Sequence, residues 1–226
     1  MTTNERLIYK NTGNIRLLNM LSPSPGRILD CGCGPGDNAS ILSDRGWRVT
    51  GVTIDPQEQE VARQFCEIVH LADLENGLPP DLDGTFDAVL ASHVLEHLAR
   101  PERLLHEVHR RLNPGGVLAV ALPNIAHYSQ RLLLLRGQFN YTETGQLDRT
   151  HLRFYTHRTA IHLLEGNGYK LMEAVAEGTL PWWKARRFVP SSTIRRFDMW
   201  ALRRQPNLLG HQSLLIARPA GFLCNS

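Results

Sequence analysis

The stretch "ILDCGCGPGDN" (28–38) runs from a buried-strand pattern into a helix start through Gly32, Gly34 and Gly36. Glycine permits the tight turn and lets a ligand approach the backbone where a Cβ would collide. The helix start behind it offers unpaired N–H groups and a positive dipole end, suited to an anionic group. A dinucleotide fingerprint, Gly-x-Gly-x-x-Gly, would put its third glycine at position 37, which is Asp37 here. A carboxylate there is poorly placed for a pyrophosphate. A nicotinamide cofactor is disfavoured.

Short apolar runs and helical patterns alternate outward from this loop. "GRILDCG" (26–32), "WRVTGVTID" (47–55), the weaker "EIVHLAD" (67–73), "FDAVLAS" (86–92) and "VLAVALPN" (117–124) read as strands. Helices are expected near 36–45 and 57–66 and over "PERLLHEVHRRL" (101–112), which starts on Pro and is stopped by Asn-Pro-Gly-Gly (113–116). This layout predicts an α/β fold with a mostly parallel sheet. The alternation lapses over 125–155, resumes with helix 157–166 and strand "YKLMEAV" (169–175), and ends in "HQSLLIAR" (211–218) after a basic insert at 178–206. The reading is one domain over 1–226, with an N-terminal cap helix at 3–21 and two substrate-side inserts, 125–155 and 178–206. Loops at strand ends carry specificity, so the inserts are where an acceptor is expected.

A chain of 226 residues can bury one good core. No apolar run reaches the ~18 residues a membrane helix needs, and "MTTNERLIYKNTGN" has no apolar stretch of the secretory kind. Four cysteines, with Cys31 and Cys33 one residue apart, do not make a disulfide framework, and a reducing, cytoplasmic setting is expected. The net charge of +3 is uneven: seven basic residues and one acidic residue lie between Lys184 and Arg204, so the rest of the chain is net negative. That distribution does not favour a nucleic-acid partner, which calls for a broad basic patch or stripe.

Asp55 ends the second strand, 19 positions after Gly36, where a carboxylate can accept both hydroxyls of a ribose. Asp73, after the third strand, could accept from an exocyclic adenine amine, and Asp30, before the glycines, could pair with an ammonium. Together they ask for a nucleoside bearing an amino-acid tail.

In this order, "ILDCGCGPG", "VTID", "LADLE", "FDAVLASHVLEHL" and "LNPGGVLAVALPN" resemble a class I S-adenosylmethionine-dependent methyltransferase over roughly residues 27 to 175. "PN", "LRGQFNYTETGQLDRTHLRFYT" and "LLEGNGY" are similar to a bacterial small-molecule and polysaccharide-associated group, close to the methionine-biosynthesis W-protein type. The resemblance implies a Rossmann-like sheet of seven strands, the last antiparallel and supplied by "HQSLLIAR", with helices on both faces. It implies S-adenosyl-L-methionine as cofactor, with Gly32, Gly34 and Gly36 along its methionine tail and Asp55 on the ribose. Asp73 and the Leu74 amide would take the adenine, and Ser92 and His93 would lie beside the sulfonium.

"SHVLEHL" (92–98) packs His93, Glu96 and His97 at helical spacing, which would place three polar heads on one face. Methyl transfer needs a base only if the acceptor must first lose a proton. His97 and His151 are the acceptor-side candidates, His151 as general base, with Asp148 orienting it through a hydrogen bond. The alternative reading of Asp148 is a turn cap. Metal-dependent O-methyltransferases of the ubiquinone pathway and of small RNAs carry a similar Glu-x-x-Glu-His, and the small-RNA group adds a later His. By that resemblance Glu96, His97 and His151 could be metal ligands, with His93 replacing the first Glu, a substitution ill suited to magnesium. The expected activity is therefore O-methylation of a small molecule. Its rivals are a metal-dependent enzyme acting on RNA or a quinol, and a non-catalytic cofactor-binding partner of another enzyme.

Helix "SSTIRRFDMWALRR" (191–204) puts Ile194, Phe197 and Ala201 on one face with Trp200 beside it. It reads first as a lid or homodimer contact with a solvated basic edge, and second as a contact of 184–204 with an anionic membrane surface. Trp182 and Trp183 are candidates for an acceptor pocket, and Tyr9 for closure over the cofactor.

Overall fold

The computed structural model describes residues 12–21, 24–178 and 191–221. Its centre is a seven-stranded sheet: β1 (Arg27–Cys31), β2 (Arg48–Thr53), β3 (Ile68–Leu71), β4 (Phe86–Ser92), β5 (Leu112–Pro123), β6 (Tyr169–Glu177) and β7 (Gln212–Pro219). The order is β3-β2-β1-β4-β5-β7-β6. The first five strands pair in parallel, and β7 slots antiparallel between β5 and β6. The expected sheet, antiparallel last strand included, is present.

Strand side chains alternate between faces, and here both faces are covered. Leu29, Val89, Ala91, Leu118 and Val120 pack with Leu104, Leu105 and Val108 of α4 (Pro101–Arg111) and Ala160 and Leu164 of α6 (His157–Gly166). Ile28, Ala88, Leu90, Ala119 and Ala121 pack on the other face with Leu17 and Leu18 of α1 (Ile15–Leu18) and Ala39 and Leu42 of α2 (Asp37–Asp44). Each of these leucines is nearly or fully buried, worth about 1.5–3 kcal/mol in apolar transfer.

Two expectations change. The N-terminal helix is a single turn, Ile15–Leu18, among the described residues. Gly13 adopts φ +69° and Asn14 caps that turn by accepting from Leu17 N, so a continuous helix through 12–14 is broken. Tyr9 lies outside the described residues, as do Trp182 and Trp183. In α7 (Ser191–Arg204) the buried positions are Asp198, Ala201 and Leu202, whereas Phe197 and Trp200 are exposed and touch each other at 5.4 Å. The inward stripe is rotated from the apolar one because the helix packs on β6 and on α8 (Pro206–Leu209) along 198, 201 and 202. Among the described residues no helix is long and apolar enough to cross a membrane.

Candidate active site

A cleft of about 1320 Å³ opens at the carboxyl ends of the parallel strands. One half is built by the loop from β1 to α2 and by the start of α3 (Pro56–Ala62). Gly32 and Gly34 line it with φ of +70° and +54°. A Cβ on Gly34 would meet nothing closer than Glu58 Oε2 at 4.0 Å, so that face of the backbone is bare to a ligand. Gly36 differs: a Cβ there would come within 2.9 Å of Phe65 and 3.2 Å of the Ala62 backbone. It does not line the cleft but packs the loop against α3.

Asp55 lines the cleft and caps α3, its Oδ1 accepting from Gln57 N at 2.7 Å, which leaves Oδ2 for a ribose hydroxyl. Asp30 is fully buried at the end of β1, and neither carboxylate oxygen has a hydrogen-bond partner. Burial raises its pKa to about 8. An ion without a partner at this depth is costly, and an incoming ammonium is the group that would satisfy it. The cradle at Gly34 and the carboxylate at Asp55 fit a nucleoside with an amino-acid tail; Asp30 is buried beside this loop and does not itself line the cleft. Asp73 and Leu74 stand apart: Asp73 is exposed and spends Oδ1 capping the turn Leu74–Asn76, Leu74 is buried, and neither lines the cleft.

The other half gathers around Glu96. The segment expected as a helix is a 3₁₀ turn, Leu95–His97, and His93 lies outside it at φ +57°, the only positive φ of a non-glycine among the described residues. The three polar heads therefore do not share a helix face; they meet through the buried Glu96 carboxylate instead. Glu96 Oε1 takes His93 Nδ1 at 3.1 Å, and His93 Nε2 meets Gln212 Oε1 at 2.9 Å. The Gln212 amide donates to Glu177, which fixes its oxygen toward His93, so both imidazole nitrogens act as donors. Burial opposes charge on His93, but Glu96 and Gln212 outweigh it and raise its pKa.

The insert reaches this cluster because Leu152 N and Arg153 N both donate to the Glu96 carbonyl, at 2.8 and 3.0 Å. His151 thereby stacks edge-on to His97, ring centroids 4.8 Å apart. Asp148 bonds not to His151 but to Thr150, its Oδ1 accepting from the hydroxyl at 2.7 Å. With that proton spent, Thr150 Oγ1 can only accept from His97 Nδ1, 3.1 Å away. His151 turns its own Nδ1 to the Gln146 carbonyl at 3.4 Å. The Nε2 lone pair of each ring is left uncommitted among the described residues. Glu96 Oε2 is buried without a partner, and one ligand atom each of Glu96, His97 and His151 lies within 4.8 Å of the others. Burial lowers the His151 pKa and keeps the ring neutral at pH 7.

A methyltransferase domain family model matches residues 4–174. The chain belongs to that family. The methyltransferase is 29% identical over 180 residues to trans-aconitate 2-methyltransferase of Deinococcus radiodurans, covering 73% of this chain and 70% of that one. It is 31% identical over 102 residues to the ubiquinone biosynthesis O-methyltransferase of Chromobacterium violaceum, covering 40% and 41% of the two chains. Among solved structures, a SAM-dependent methyltransferase from Archaeoglobus fulgidus superposes with a TM-score of 0.61 at 21% identity, over 90% of each chain. S-adenosyl-L-methionine is the cofactor of this enzyme.

Of the sequence-based candidates, Gly32, Gly34, Asp55, Ser92, His93, His97, Asp148 and His151 come together around the cleft. Gln212 was missed as a site residue, whereas Glu96 was named only as a possible metal ligand. Glu96 carried a signal, a carboxylate between two histidines; Gln212 carried none, because only the insertion of β7 beside β5 brings it to His93.

Proposed function

We propose that this methyltransferase methylates a hydroxyl oxygen of a small polar acceptor in the cytoplasm. The observation that carries the reading is a cluster of acceptors without a donor: two imidazoles with uncommitted Nε2 lone pairs and a buried, unpartnered carboxylate oxygen. A hydroxyl proton is what such a cluster lacks. The cleft wall beyond it is polar, with Gln146, Thr150, His211 and Gln212. S-adenosylmethionine supplies a methyl group on a sulfonium, a leaving group that needs no acid. Gly34, Asp55 and Asp30 seat and orient it, and His151 Nε2 takes the acceptor proton. Glu96 stabilises the imidazolium that results, while Asp148, through Thr150, holds the His97 tautomer. Positioning accounts for most of the acceleration.

The test is formation of S-adenosylhomocysteine over a panel of hydroxy acids, sugars, phenols and amines. Turnover with a hydroxylated compound that collapses in His151→Ala supports the reading; turnover confined to amines ends it. If the protein binds S-adenosylhomocysteine but turns over only beside another enzyme, the non-catalytic partner reading replaces it. The same cluster supports a second reading, in which Glu96, His97 and His151 hold a divalent metal of the zinc or manganese kind with a position open to the acceptor. Elemental analysis of protein purified without chelator separates the two: stoichiometric metal that disappears in His97→Ala favours the metal.

A further inference from the structure

Gly51 lies in the interior of β2, paired with Asp30 on one side and Val69 on the other. A strand-interior glycine marks a close approach. Here a Cβ would fall 2.7 Å from Cys33 Sγ and 3.2 Å from Cys66 Sγ. Two thiols thus converge over one Cα, in contact with each other and enclosed by Ala62 and Val69.

The two cysteines sit on different elements, and of the two only Cys33 lines the cofactor cleft. Cys33 is buried in the glycine loop between Gly32 and Gly34 and lines the cleft. Cys66 follows α3, the helix capped by Asp55, and is partly exposed. The Cys66 thiol, burial and the Asp30 carboxyl together push the Cys33 thiol far above its ordinary pKa. Cys66, the more exposed of the two, is the sulfur that a reagent meets first.

We propose that Cys33 and Cys66 are an oxidation site, forming a reversible disulfide that ties the cofactor loop to the end of α3 and weakens cofactor binding. The oxidant is a low-molecular-weight disulfide. The Cys66 thiolate attacks one of its sulfurs, making a mixed disulfide and releasing one small thiol. With Cys66 taken up in the mixed disulfide, its thiol, the largest of the influences that hold the Cys33 proton, is gone, so Cys33 gives its proton to solvent and attacks Cys66 Sγ, expelling the second small thiol. Two protein thiols lose two hydrogens, and one disulfide becomes two thiols.

The bond shortens a non-bonded sulfur contact to about 2.05 Å, so Cys33 is drawn toward α3. Two hydrogen bonds hold the loop in its reduced shape: Cys33 N to Val52 O at 2.9 Å, and Gly36 N to Cys33 O at 3.0 Å. The flanking glycines give the loop freedom to move, and displacing it disturbs the bare backbone at Gly34.

The experiment exposes the full chain to oxidised glutathione, maps its peptides, and titrates S-adenosylhomocysteine before and after. The expected result is a Cys33–Cys66 linked peptide and an affinity lower by about tenfold, restored by dithiothreitol. Cys66→Ser should bind S-adenosylhomocysteine as the reduced wild type does and be indifferent to the oxidant. Glutathione retained on Cys66 with no link to Cys33, or a link that leaves affinity unchanged, overturns the proposal. A reduced protein that binds no S-adenosylhomocysteine would count against the cofactor assignment, which peptide mapping does not depend on.

Discussion

The two halves of the cleft are built by different means. The cofactor half is assembled from consecutive β–α units, each contributing one strand end: Gly32 and Gly34 after β1, Asp55 after β2. The acceptor half is assembled from remote pieces, the turn after β4, the insert at 146–153, and Gln212 at the start of β7. Its members are joined by hydrogen bonds that span 53 and 119 positions of sequence. The first half is a consequence of the fold, the second of local bonds laid over it. Substitutions should separate them, with loss of cofactor affinity on one side and loss of turnover at unchanged affinity on the other.

The largest effect is expected at the acceptor half. His151→Ala removes a neutral, buried imidazole with an uncommitted Nε2, and turnover should fall by about 10²–10⁴-fold. S-adenosylhomocysteine affinity, read by calorimetry, should stay within about twofold, because the cofactor half keeps all its contacts. Equal losses in both measurements would mean that the halves are not separable.

Asp30 tests the cofactor half through pH. Its folded-state pKa of about 8 lies above the ordinary carboxylate value, so the folded protein binds a proton more tightly than the unfolded chain. That contribution is fully present below about pH 4 and is lost as pH rises toward 8, at roughly 1.4 kcal/mol per pH unit between the two. Asp30→Asn should flatten this slope in the thermal unfolding of the cofactor-free protein and weaken S-adenosylhomocysteine binding. Binding to the wild type at pH 7 should release a proton, because the ammonium favours the ionised carboxylate. Calorimetry in buffers of different ionisation enthalpy measures it. An unchanged slope in the variant would remove Asp30 from this role.

The neighbouring glycines sharpen the comparison within one loop. Gly34→Ala and Gly36→Ala both force an L-residue into a positive φ, of +54° and +94°, at about 1–2 kcal/mol each. The Gly34 methyl enters the cleft and should add a loss of cofactor affinity. The Gly36 methyl meets Phe65 and Ala62, so it should lower the melting temperature more and affinity less.

The same contrast explains what was legible in the sequence. The sheet could be read because its strands are buried on both faces and appear as continuous apolar runs, and because Gly34 and Asp55 sit at fixed offsets from strand ends. Gly36 was misassigned because a glycine needed for packing and one needed for a ligand look alike in sequence. The helix expected at 93–97 failed because His93 takes a left-handed backbone, held by Glu96 and Gln212, and periodicity carries no trace of a bond to residue 212. Asp148 was expected to orient His151 through a hydrogen bond, but its hydrogen bond goes to Thr150 instead.

That bond yields the smallest and most specific effect. Asp148 fixes the Thr150 proton, and Thr150 in turn makes His97 Nδ1 a donor. Thr150→Val keeps the shape but removes the hydroxyl, leaving the Thr150 carbonyl at 3.3 Å as the only oxygen still facing Nδ1 from that residue. One neutral hydrogen bond is worth about 0.5–1.5 kcal/mol, so turnover should drop by about twofold to tenfold, with cofactor affinity unchanged. Nitrogen NMR of the His97 ring distinguishes this from a packing defect: the Nδ1–H form should dominate in the wild type and share with the Nε2–H form in the variant. Asp148→Asn should shift the ring the same way, since an amide can donate to Thr150 and free the hydroxyl proton for His97. A wild-type ring already in the Nε2–H form would show that Asp148 acts only as a turn cap, and that the acceptor half relies on His151 alone.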